Sequence, residues 1–499
     1  MALSRPVALP DLSRAAVVAG AALVSAAALV QYMQKPPKTI TQVGAEEGIL
    51  GILPRLARAV ANYTFLQDLK EIHDEKGTTV YLHFGILRYF VNPLILTRDP
   101  RNVEHMLKKN FDNYPKGEIF NNIAHEMLGN GIFNADGETW LVQRKTAAQM
   151  FTASRFKKHI WQVMQKNCGK VMGLLKATAG EEVNMFNLMN RFTLDSIGEI
   201  GFGADIGSLE DPSSPFLNSF DDAQRVLLRR FIMPGWKVLR FFGLGFERSF
   251  SFHVKLLRRK SRQLVRDLRQ KLETQSADTA GDSFVGLFME SGEFSEEFLS
   301  DLVLNFLLAG RDTTAQAMTW CLFLLTQHPE VEAKILEEVS GICQDGPLEY
   351  DQLNKMKYLE AVLSESLRLY PSVPIDGKMV LEDDTLPDGS KVPKGALLLY
   401  SAYAMGRWSE IWGEDCDSFR PERWLDASPK TSYENPVFHA GPRECLGKRL
   451  AMVEMKCVIS TLLRAYKFEL AMPASEVKPD AQVTIGMSSG LRCRLTPRA

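Results

Sequence analysis

The chain has 499 residues, of which 45% are hydrophobic and 24% are charged, and its formal net charge is −1. This balance is ordinary for a globular protein with a large core, and no global charge draws the chain towards nucleic acid. Seven cysteines without a repeating spacing argue against a secreted disulfide framework and favour a reducing compartment.

The N-terminal segment differs from the rest of the chain. The run from Ala15 to Val30 is almost entirely apolar, and the segment Lys35–Lys38, which contains two prolines, ends it. With its flanks, the run is just long enough to span the hydrocarbon core of a bilayer. We therefore expect residues 1–38 to be an N-terminal membrane anchor and residues 39–499 to be one large folded unit. Basic and small residues before the run leave an organelle transit peptide as the alternative.

Helical and strand patterns follow this segment in a definite order. Residues 78–96 combine β-branched and aromatic side chains around Gly85, which predicts a β-hairpin. Helical periodicity dominates from there to about residue 370. Strand signals return at Leu381–Leu399, with a tight turn at Pro387–Gly389, and a final strand pair is predicted within Gln482–Leu495. The chain is therefore predicted to be mainly α with small β-sheets.

One long helix dominates this prediction. Ser295 can cap its N terminus, acidic residues follow in the first turn, and the apolar run extends to about Gln327. At 1.5 Å per residue the rod is roughly 45–50 Å long, and because it is apolar on all sides it must cross the core. Its middle, Ala309–Thr314, contains glycine, aspartate and threonine, which weaken a helix. This segment is either a kinked or partly exposed part of the helix, or a local distortion that makes room for a ligand or water.

The strongest local signal is the segment FHAGPRECLGKRL around Cys445. A cysteine binds a metal as the thiolate, and backbone amides in a tight turn can hold that charge. Gly441 and Gly447 permit such a turn and the close approach of a flat ligand, and Arg443 can pair with a carboxylate of that ligand. A helix from Leu446 would direct its positive end towards the sulfur. The alternative is a structural turn that contains an inert, buried cysteine.

This segment matches the pattern F-x-x-G-x-R-x-C-x-G, and from about Gly48 to the C terminus the chain resembles the cytochrome P-450 superfamily. The resemblance implies a mainly α fold with small β-sheets, in which haem b lies between the long central helix and the cysteine loop. It also implies that Cys445 is the ligand of the haem iron. The other residues implied to contact the cofactor in this loop are Phe438, Gly441, Arg443 and Gly447.

Asp312 and Thr313 in the central helix fit the family pattern [AG]-G-x-[DE]-T-[TS]. The resemblance implies that they are the catalytic residues: Thr313 stabilises dioxygen at the iron, and Asp312 takes part in delivering protons to it. Cleavage of the oxygen–oxygen bond needs protons, which a buried acid together with a hydroxyl group and water can supply.

A second motif implies a structural role. Glu365 and Arg368 match the family's E-x-x-R and share one face of a helix. Arg423 is implied to complete a buried triad with them, and such a network is costly to break at one member.

Contacts to the haem propionates are implied at three further positions. Trp140 and Arg144 lie four residues apart on one helical face and resemble the family's W-x-x-x-R. Lys378 lies where relatives often contribute another propionate contact.

Several segments, among them AGRDTT, LRLYPSVP and WGEDCDSFRPERW, look like the fatty-acid ω-hydroxylase branch of plants, algae and fungi. This resemblance implies hydroxylation of a long-chain fatty acid or alkane at or near its terminal carbon, with electrons from NADPH. Animal ω-hydroxylases carry a glutamate that can bond the haem where this chain has Ala309, so non-covalent haem is expected. Arg88 and Tyr89 are candidates for holding a substrate carboxylate. The candidates for the substrate pocket, by analogy of position, are Phe306, Leu307, Ala309, Val373, Ile375, Ile485, Met487 and the predicted loop Phe120–Met127.

Aromatic residues in the segments Phe231–Trp236 and Phe241–Phe246 are interleaved with basic residues, among them Arg229, Arg230 and Arg240. Such a segment fits a loop that dips into the lipid interface beside a substrate entrance, with its basic residues at the headgroups. The alternative is a loop that packs on the core.

No flavin or iron–sulfur domain is recognisable in the sequence, so electrons are expected from a separate protein. Lys448, Arg449 and Lys456 follow the cysteine and could dock an acidic donor, unless they form a simple solvated helix face. The donor would be a flavin-containing NADPH reductase at the endoplasmic reticulum membrane, which is the expected location. It would be a ferredoxin if the chain enters a mitochondrion or plastid. No nucleic-acid partner is expected.

Two other functions stay open on the sequence alone. Isomerases or lyases that act on lipid hydroperoxides share the fold and the thiolate but use no dioxygen, and they commonly lack the pair that Asp312 and Thr313 provide. A non-catalytic haem-binding protein would need neither a proton relay nor a face for a reductase. The expected function is therefore that of a haem-thiolate monooxygenase.

Overall fold

A computed structural model describes residues 40–44, 50–84, 92–151, 159–178, 180–233, 235–274, 284–292, 294–343, 348–426 and 429–498. The predicted anchor at 1–38 and the candidate carboxylate contacts Arg88 and Tyr89 lie outside these residues. Within them, no helix combines the length and the apolar character needed to cross a bilayer.

The chain is mainly helical, as predicted. The α-helices are, in chain order, α1 (Leu53–Ala61), α2 (Phe65–Lys76), α3 (Pro100–Glu104), α4 (Gly117–Leu128), α5 (Gly137–Ala148), α6 (Trp161–Ala177), α7 (Met185–Phe202), α8 (Pro215–Ile232), α9 (Trp236–Phe242), α10 (Phe246–Thr274), α11 (Phe284–Ser291), α12 (Glu296–Gln327), α13 (Pro329–Cys343), α14 (Tyr350–Leu353), α15 (Lys357–Leu369), α16 (Ala402–Met405), α17 (Ser409–Trp412), α18 (Arg423–Asp426) and α19 (Lys448–Ala465). A π-helical turn occupies His105–Lys109, and 3-10 turns occupy Phe111–Asn113, Gln149–Phe151, Pro436–Phe438, Gly441–Arg443 and Ala474–Glu476.

The strands are short and form small sheets. They are β1 (Thr41–Val43), β2 (Thr79–Leu82), β3 (Leu94–Thr97), β4 (Glu182–Asn184), β5 (Ile375–Met379), β6 (Asp384–Thr385), β7 (Lys391–Val392), β8 (Leu397–Ser401), β9 (Tyr466–Leu470), β10 (Pro479–Ala481), β11 (Ile485–Met487) and β12 (Arg492–Pro497). The largest sheet has the strand order β1-β2-β3-β8-β5. The smaller sheets are β4-β12-β9, β10-β11 and β6-β7.

Two strand predictions are confirmed and one is wrong. Strands β2 and β3 pair in antiparallel fashion as predicted, while the predicted turn at Gly85 lies outside the described residues. Strands β6 and β7 pair around the turn at Gly389, whose φ of +87° suits glycine. The predicted final strand pair does not form, because β11 pairs with β10 whereas β12 pairs with β9 and β4. Strand β11 pairs with the strand just before it in the chain, whereas the partners of β12 are remote in sequence, and the local pattern does not say which of these pairings forms.

The segment Phe120–Met127 is a helix and not the predicted loop. It forms most of α4, which buries Ile123, Ala124 and Met127 on one face while Asn121 and Asn122 lie on the other. This amphipathic spacing stabilises a helix against the core.

Helix α12 crosses the core as predicted. The Ser295 hydroxyl accepts a hydrogen bond of 3.1 Å from the Phe298 amide and so caps the helix, while Glu296 and Glu297 lie in the first turn. The helix packs against α7, α10, α15 and α19. At Gly310 a β-carbon would lie 2.5 Å from Ile197 of α7, so glycine permits the close approach of these two helices. The middle of α12 is therefore fixed beside the site described below.

Glu365 lies at the centre of a fully buried ionic network. Its carboxylate accepts two hydrogen bonds from the Arg368 guanidinium, at 2.7 and 2.8 Å, and one of 2.9 Å from Arg423. The indole of Trp424 and the backbone amide of Arg420 donate to the same carboxylate. Burial alone would raise the pKa of Glu365, but the guanidinium of Arg368, with help from Arg423, holds that pKa below its usual range. The network ties α15 to the segment that precedes the cysteine loop.

Candidate active site

The cysteine loop is a tight turn whose shape depends on glycine. Gly441 has a φ of +65°, and a β-carbon there would lie 2.2 Å from the carbonyl oxygen of Leu107. The Cys445 amide donates a hydrogen bond of 2.8 Å to the Phe438 carbonyl, which closes the loop. Helix α19 then begins at Lys448, two residues later than predicted, with Gly447 as its N-cap.

The Cys445 side chain points into an internal cavity. It lines a cavity of about 220 Å³ together with Ala309, Gly310 and Thr313 of α12. Burial in the protein raises the pKa of the Cys445 thiol, and a hydrogen bond from the backbone of Gly447 opposes this effect. The same cavity is therefore lined by a potential sulfur ligand and by the glycine- and threonine-containing middle of the long helix.

Cations and an indole line one edge of the cavity. Arg443 stacks on Trp140 with its guanidinium carbon 4.4 Å from the ring centre, and it donates to Asp136 at 2.6 Å and to the Ala135 carbonyl at 3.0 Å. Arg144 donates to the Glu444 carbonyl at 2.7 Å. The buried Nε of Arg443 has no hydrogen-bond partner among the described residues. This edge therefore retains unused donor capacity for an anionic group.

A buried ionic cluster, which sequence analysis largely missed, extends that edge. Asp376 accepts hydrogen bonds from Lys116 at 2.5 Å and from Lys378 at 3.0 Å, and Tyr400 contacts His439 at 2.8 Å between their side chains. Burial alone would raise the pKa of Asp376, but the two lysines hold it well below its usual range. Burial lowers the pKa of Lys378 to about 7.

Only Lys378 of this cluster was expected at the site. The sequence signals for the others were weak, because Lys116 is remote in sequence and Asp376 lies in a strand. His439 follows Phe438 directly in the cysteine motif, and its φ of +58°, unusual for a residue other than glycine, belongs to the same tight turn.

Of the two candidate catalytic residues of α12, Thr313 lines the cavity and Asp312 does not. Thr313 lines the cavity, and its hydroxyl donates to the Ala309 carbonyl at 2.6 Å. Asp312 is 1% exposed and is not among the residues that line the cavity. Its carboxylate accepts hydrogen bonds from Arg311 at 2.5 Å and from Gln224 at 2.8 Å. Burial raises the pKa of Asp312 to about 6, although Arg311 opposes the rise.

Glu454 is a second buried acid that sequence analysis missed. It lines the cavity from α19, it is 4% exposed, and its Oε1 has no hydrogen-bond partner in the part of the chain that the structure describes. Burial raises the pKa of Glu454 to about 8, so this side chain is largely protonated at neutral pH.

A second cavity of about 220 Å³ adjoins the first, and Ala309 and Thr313 line both. Its walls consist mostly of leucine and phenylalanine side chains from α1, α2, α4, α8 and the largest sheet. They include Leu56, Phe65, Leu66, Leu69, Leu82, Phe84, Leu94, Leu96, Phe120, Ala124, Leu128, Leu227, Leu228, Phe231 and Leu399. The two cavities adjoin beside α12, and the polar side chains of Lys116, Asp376 and His439 also line both of them.

The structure brings together some of the candidate pocket residues and not others. Phe306 and Val373 line the first cavity, Val373 and Ile375 line the second, and Ala309 lies where the two meet. Leu307 is fully buried in the core, since neighbouring residues of a helix point about 100° apart. Ile485 and Met487 are buried but line neither described cavity. The second cavity is lined instead by the residues just before them in the chain, namely Ala481, Gln482, Val483 and Thr484.

The predicted basic face after the cysteine is only partly present. Lys448 is exposed and pairs with Glu444 at 3.2 Å, and Arg449 donates to the Tyr350 hydroxyl at 2.9 Å. Lys456 is buried and donates to Glu360 and to the Leu353 carbonyl, so it cannot dock a partner.

These residues fit a haem group. The cavity offers a sulfur ligand at Cys445 and apolar walls for a flat ring. Its cationic edge, formed by Arg144, Arg443 and Lys378, offers partners for two carboxylates. The unpartnered Nε of Arg443 is the observation that most directly indicates a missing acceptor at this edge.

Comparison with known proteins agrees with this geometry. A family model described as Cytochrome P450 matches residues 49–491. Cytochrome P450 704C1 of Pinus taeda is 36% identical, over 90% of this chain and 93% of its own length. Cytochrome P450 86B1 of Arabidopsis thaliana is 36% identical over 90% and 85%, and cytochrome P450 94A1 of Vicia sativa is 36% identical over 75% of each chain. The matched range contains both the cysteine loop and the central helix.

Proposed function

The chain belongs to the cytochrome P450 family, and on that premise we propose that it hydroxylates a long-chain lipid, a fatty acid or an alkane, at or near the terminal carbon. It is a haem-thiolate monooxygenase that uses haem b and receives electrons from a redox partner. When bound, the haem supplies the activation of dioxygen. Cys445 would hold its iron, and Arg144, Arg443 and Lys378 would hold its propionates.

The observation that carries the lipid proposal is the apolar second cavity. Leucine and phenylalanine side chains line it from α1 and α2 up to Ala309 and Thr313 of α12. A chain of methylene groups would bury its surface there without leaving a polar group unpaired. The small side chain of Ala309 leaves the inner end of this space open, so the end of an alkyl chain would be the part that reaches the reacting centre.

The chain's own residues would handle the protons. The Thr313 hydroxyl faces the cavity, and its own proton goes to the Ala309 carbonyl, so its oxygen can accept a hydrogen bond from a water or a protonated group in the cavity. Asp312, one residue earlier, has a pKa raised by burial to about 6 and can exchange protons with such a water once its side chain turns inward. These roles support a monooxygenase over an isomerase, since rearrangement of a hydroperoxide needs no protons from solvent.

A substrate screen tests the lipid proposal. Palmitic acid and hexadecane are incubated with the protein, NADPH and a flavin-containing reductase, and the position of the new hydroxyl group is read by mass spectrometry. We expect terminal or near-terminal products. In Ala309→Leu the larger side chain should obstruct the chain end and lower kcat/KM for the terminal product by at least about tenfold. Product formation far from the chain end in the parent protein, or no product from either lipid, would contradict the proposal.

We propose further that α9 and the start of α10 contact a membrane surface. Phe241 is 83% exposed, and Phe242, Phe252 and Val238 are each at least 60% exposed. Large apolar side chains at such exposure are unusual on a protein surface that faces only water. Basic residues around this patch could lie at the lipid headgroups. Arg230 is an exception to the sequence prediction, because it is fully buried and bonds Glu247 through two hydrogen bonds of 2.6 and 2.8 Å.

Labelling with an environment-sensitive fluorophore tests the membrane contact. A nitrobenzoxadiazole group on Phe241→Cys should shift its emission to shorter wavelength on phosphatidylcholine vesicles and should be quenched by shallow nitroxide lipids, as expected for a depth of about 5–10 Å. Leu425→Cys, at another exposed apolar position, is the matched control and should change in neither measurement. Equal responses at the two positions would contradict the proposed orientation.

A flavin-containing NADPH reductase at the endoplasmic reticulum membrane is the proposed donor, and the anchor at residues 1–38 is the proposed attachment. A ferredoxin in a mitochondrion or plastid is the alternative. Of the three basic residues predicted to form the docking face, Lys448 and Arg449 are exposed and are the candidates for steering a donor.

A further inference from the structure

Asp312 belongs to a buried polar network that joins α12 to α8. Gln224 of α8 donates 2.8 Å to one carboxylate oxygen of Asp312, and Arg311 donates 2.5 Å to the other. Arg311 in turn donates 2.7 Å to Asp221 of α8. Gln224 is 1% exposed and Arg311 is fully buried, so these contacts are not made in competition with bulk water.

The network is supported from a third side. The Thr484 hydroxyl, in the turn between β10 and β11, donates 3.2 Å to the side-chain oxygen of Gln224 and accepts 2.8 Å from Gln316 of α12. This support fixes the amide of Gln224 so that its nitrogen faces Asp312. The carboxylate of Asp312 is thereby held away from the cavity that Thr313 lines.

Helix α8 is also a wall of the substrate space. Leu227, Leu228 and Phe231 line the second cavity, and they follow Gln224 within two turns of the same helix. A ligand that displaces this wall must therefore strain the hydrogen bond between Gln224 and Asp312, since side chains on one rigid helix move together.

We propose that Gln224 and Asp221 are positioning residues that hold Asp312 away from the cavity, so that displacement of α8 by substrate controls when this acid turns towards Thr313. The proposal rests on the proposed function, because it assigns Asp312 a part in proton delivery. It places the control of that step in the helix that lines the channel.

Gln224 and Asp221 have opposite effects on the pKa of Asp312. Arg311 of α12 and Asp221 of α8 are the charged groups beside it, and Gln224, Thr484 and Gln316 are the neutral polar groups of the network. The hydrogen bond from Gln224 lowers the pKa of Asp312, whereas the charge of Asp221 raises it. Loss of the first should raise this pKa, and loss of the second should lower it.

The test compares Gln224→Leu with Asp221→Asn in the full-length haem-loaded protein. NADPH oxidation and peroxide formation are measured without substrate, with a flavin-containing reductase, from pH 5 to 8.5. A rate that needs the protonated acid falls as the pH rises through its pKa, which for Asp312 is about 6. In Gln224→Leu this alkaline limb should move up by about half a unit, and in Asp221→Asn it should move down by a similar amount. Substrate-free oxidation at pH 7 should rise between about three- and tenfold in Gln224→Leu.

Ser219→Ala is the control, since Ser219 is buried on α8 and donates to the Pro215 carbonyl without touching Asp312. It removes a buried hydroxyl group from the same helix and should not move the alkaline limb. Shifts of the same sign in the two test variants, or no shift in either while the carbon-monoxide spectrum is retained, would overturn the proposal. Addition of palmitate should stimulate the parent protein and should stimulate Gln224→Leu less. Lack of stimulation in the parent would count against the lipid substrate alone, because the pH limbs are measured without it.

Discussion

Replacement of Cys445 by alanine is expected to abolish the red-shifted Soret band of the reduced, carbon-monoxide-bound protein and to reduce monooxygenase activity to background. Cys445 lines the same cavity as Ala309 and Thr313 of α12, and a thiolate ligand pushes electron density onto the iron. Alanine offers no ligand and leaves the loop backbone able to fold, since the Cys445 amide still donates to the Phe438 carbonyl. The measurement is the difference spectrum, followed by product formation from palmitate.

Cys457→Ala is the matched control for this change. Cys457 is 3% exposed, lies on α19 behind the loop, and lines neither described cavity. Its loss removes one buried sulfur of the same size, so the spectrum and activity should be retained with at most a modest loss of stability. A red-shifted band that survives in Cys445→Ala would mean that another residue holds the iron, and the assignment of the cavity would be wrong.

The parts of the site that sequence analysis predicted are those encoded over a short stretch of chain. The cysteine loop owes its shape to Gly441 and to a hydrogen bond within the motif, and the cap of α12 needs only Ser295 and its first turn. The pair Glu365 and Arg368 is one helical turn, so its geometry follows from spacing alone. Interactions between residues close in sequence determine these features, so sequence patterns predict them.

The parts that sequence analysis missed depend on contacts between remote segments. Lys116 and Asp376 meet only because α4 packs beside β5, and neither residue stands in a pattern that predicts the other. Arg230 was placed at a membrane surface on composition, yet it is buried because Glu247 and Glu126 surround its guanidinium. The partners of β12, which are β4 and β9, likewise come from segments remote in sequence.

The network that holds Asp312 shows the same division. The acid itself was predicted from the motif in α12, whereas its tether to Gln224 joins residues 88 positions apart. The catalytic acid could therefore be predicted from the sequence, but its contact with Gln224 could not, because that contact depends on the packing of α8 on α12. This is expected when catalytic groups lie on rigid elements and their regulation depends on how those elements move.

Removal of the Glu365 carboxylate is expected to lower the free energy of unfolding by several kcal/mol. Glu365→Ala leaves the guanidinium groups of Arg368 and Arg423 buried without their anion, and breaking one member of such a network costs about 3–5 kcal/mol. That is a large share of a total of about 5–15 kcal/mol. Urea denaturation followed by haem absorbance should show a correspondingly lower midpoint.

Glu365→Gln, which keeps an oxygen acceptor, should have a midpoint between those of the parent protein and Glu365→Ala. Glu382→Ala is the control, because that side chain is 74% exposed and its pair with Lys394 is worth at most about 1 kcal/mol. If Glu365→Ala and Glu382→Ala have equal urea midpoints, the buried network contributes no more to stability than an exposed ion pair, and the prediction is wrong.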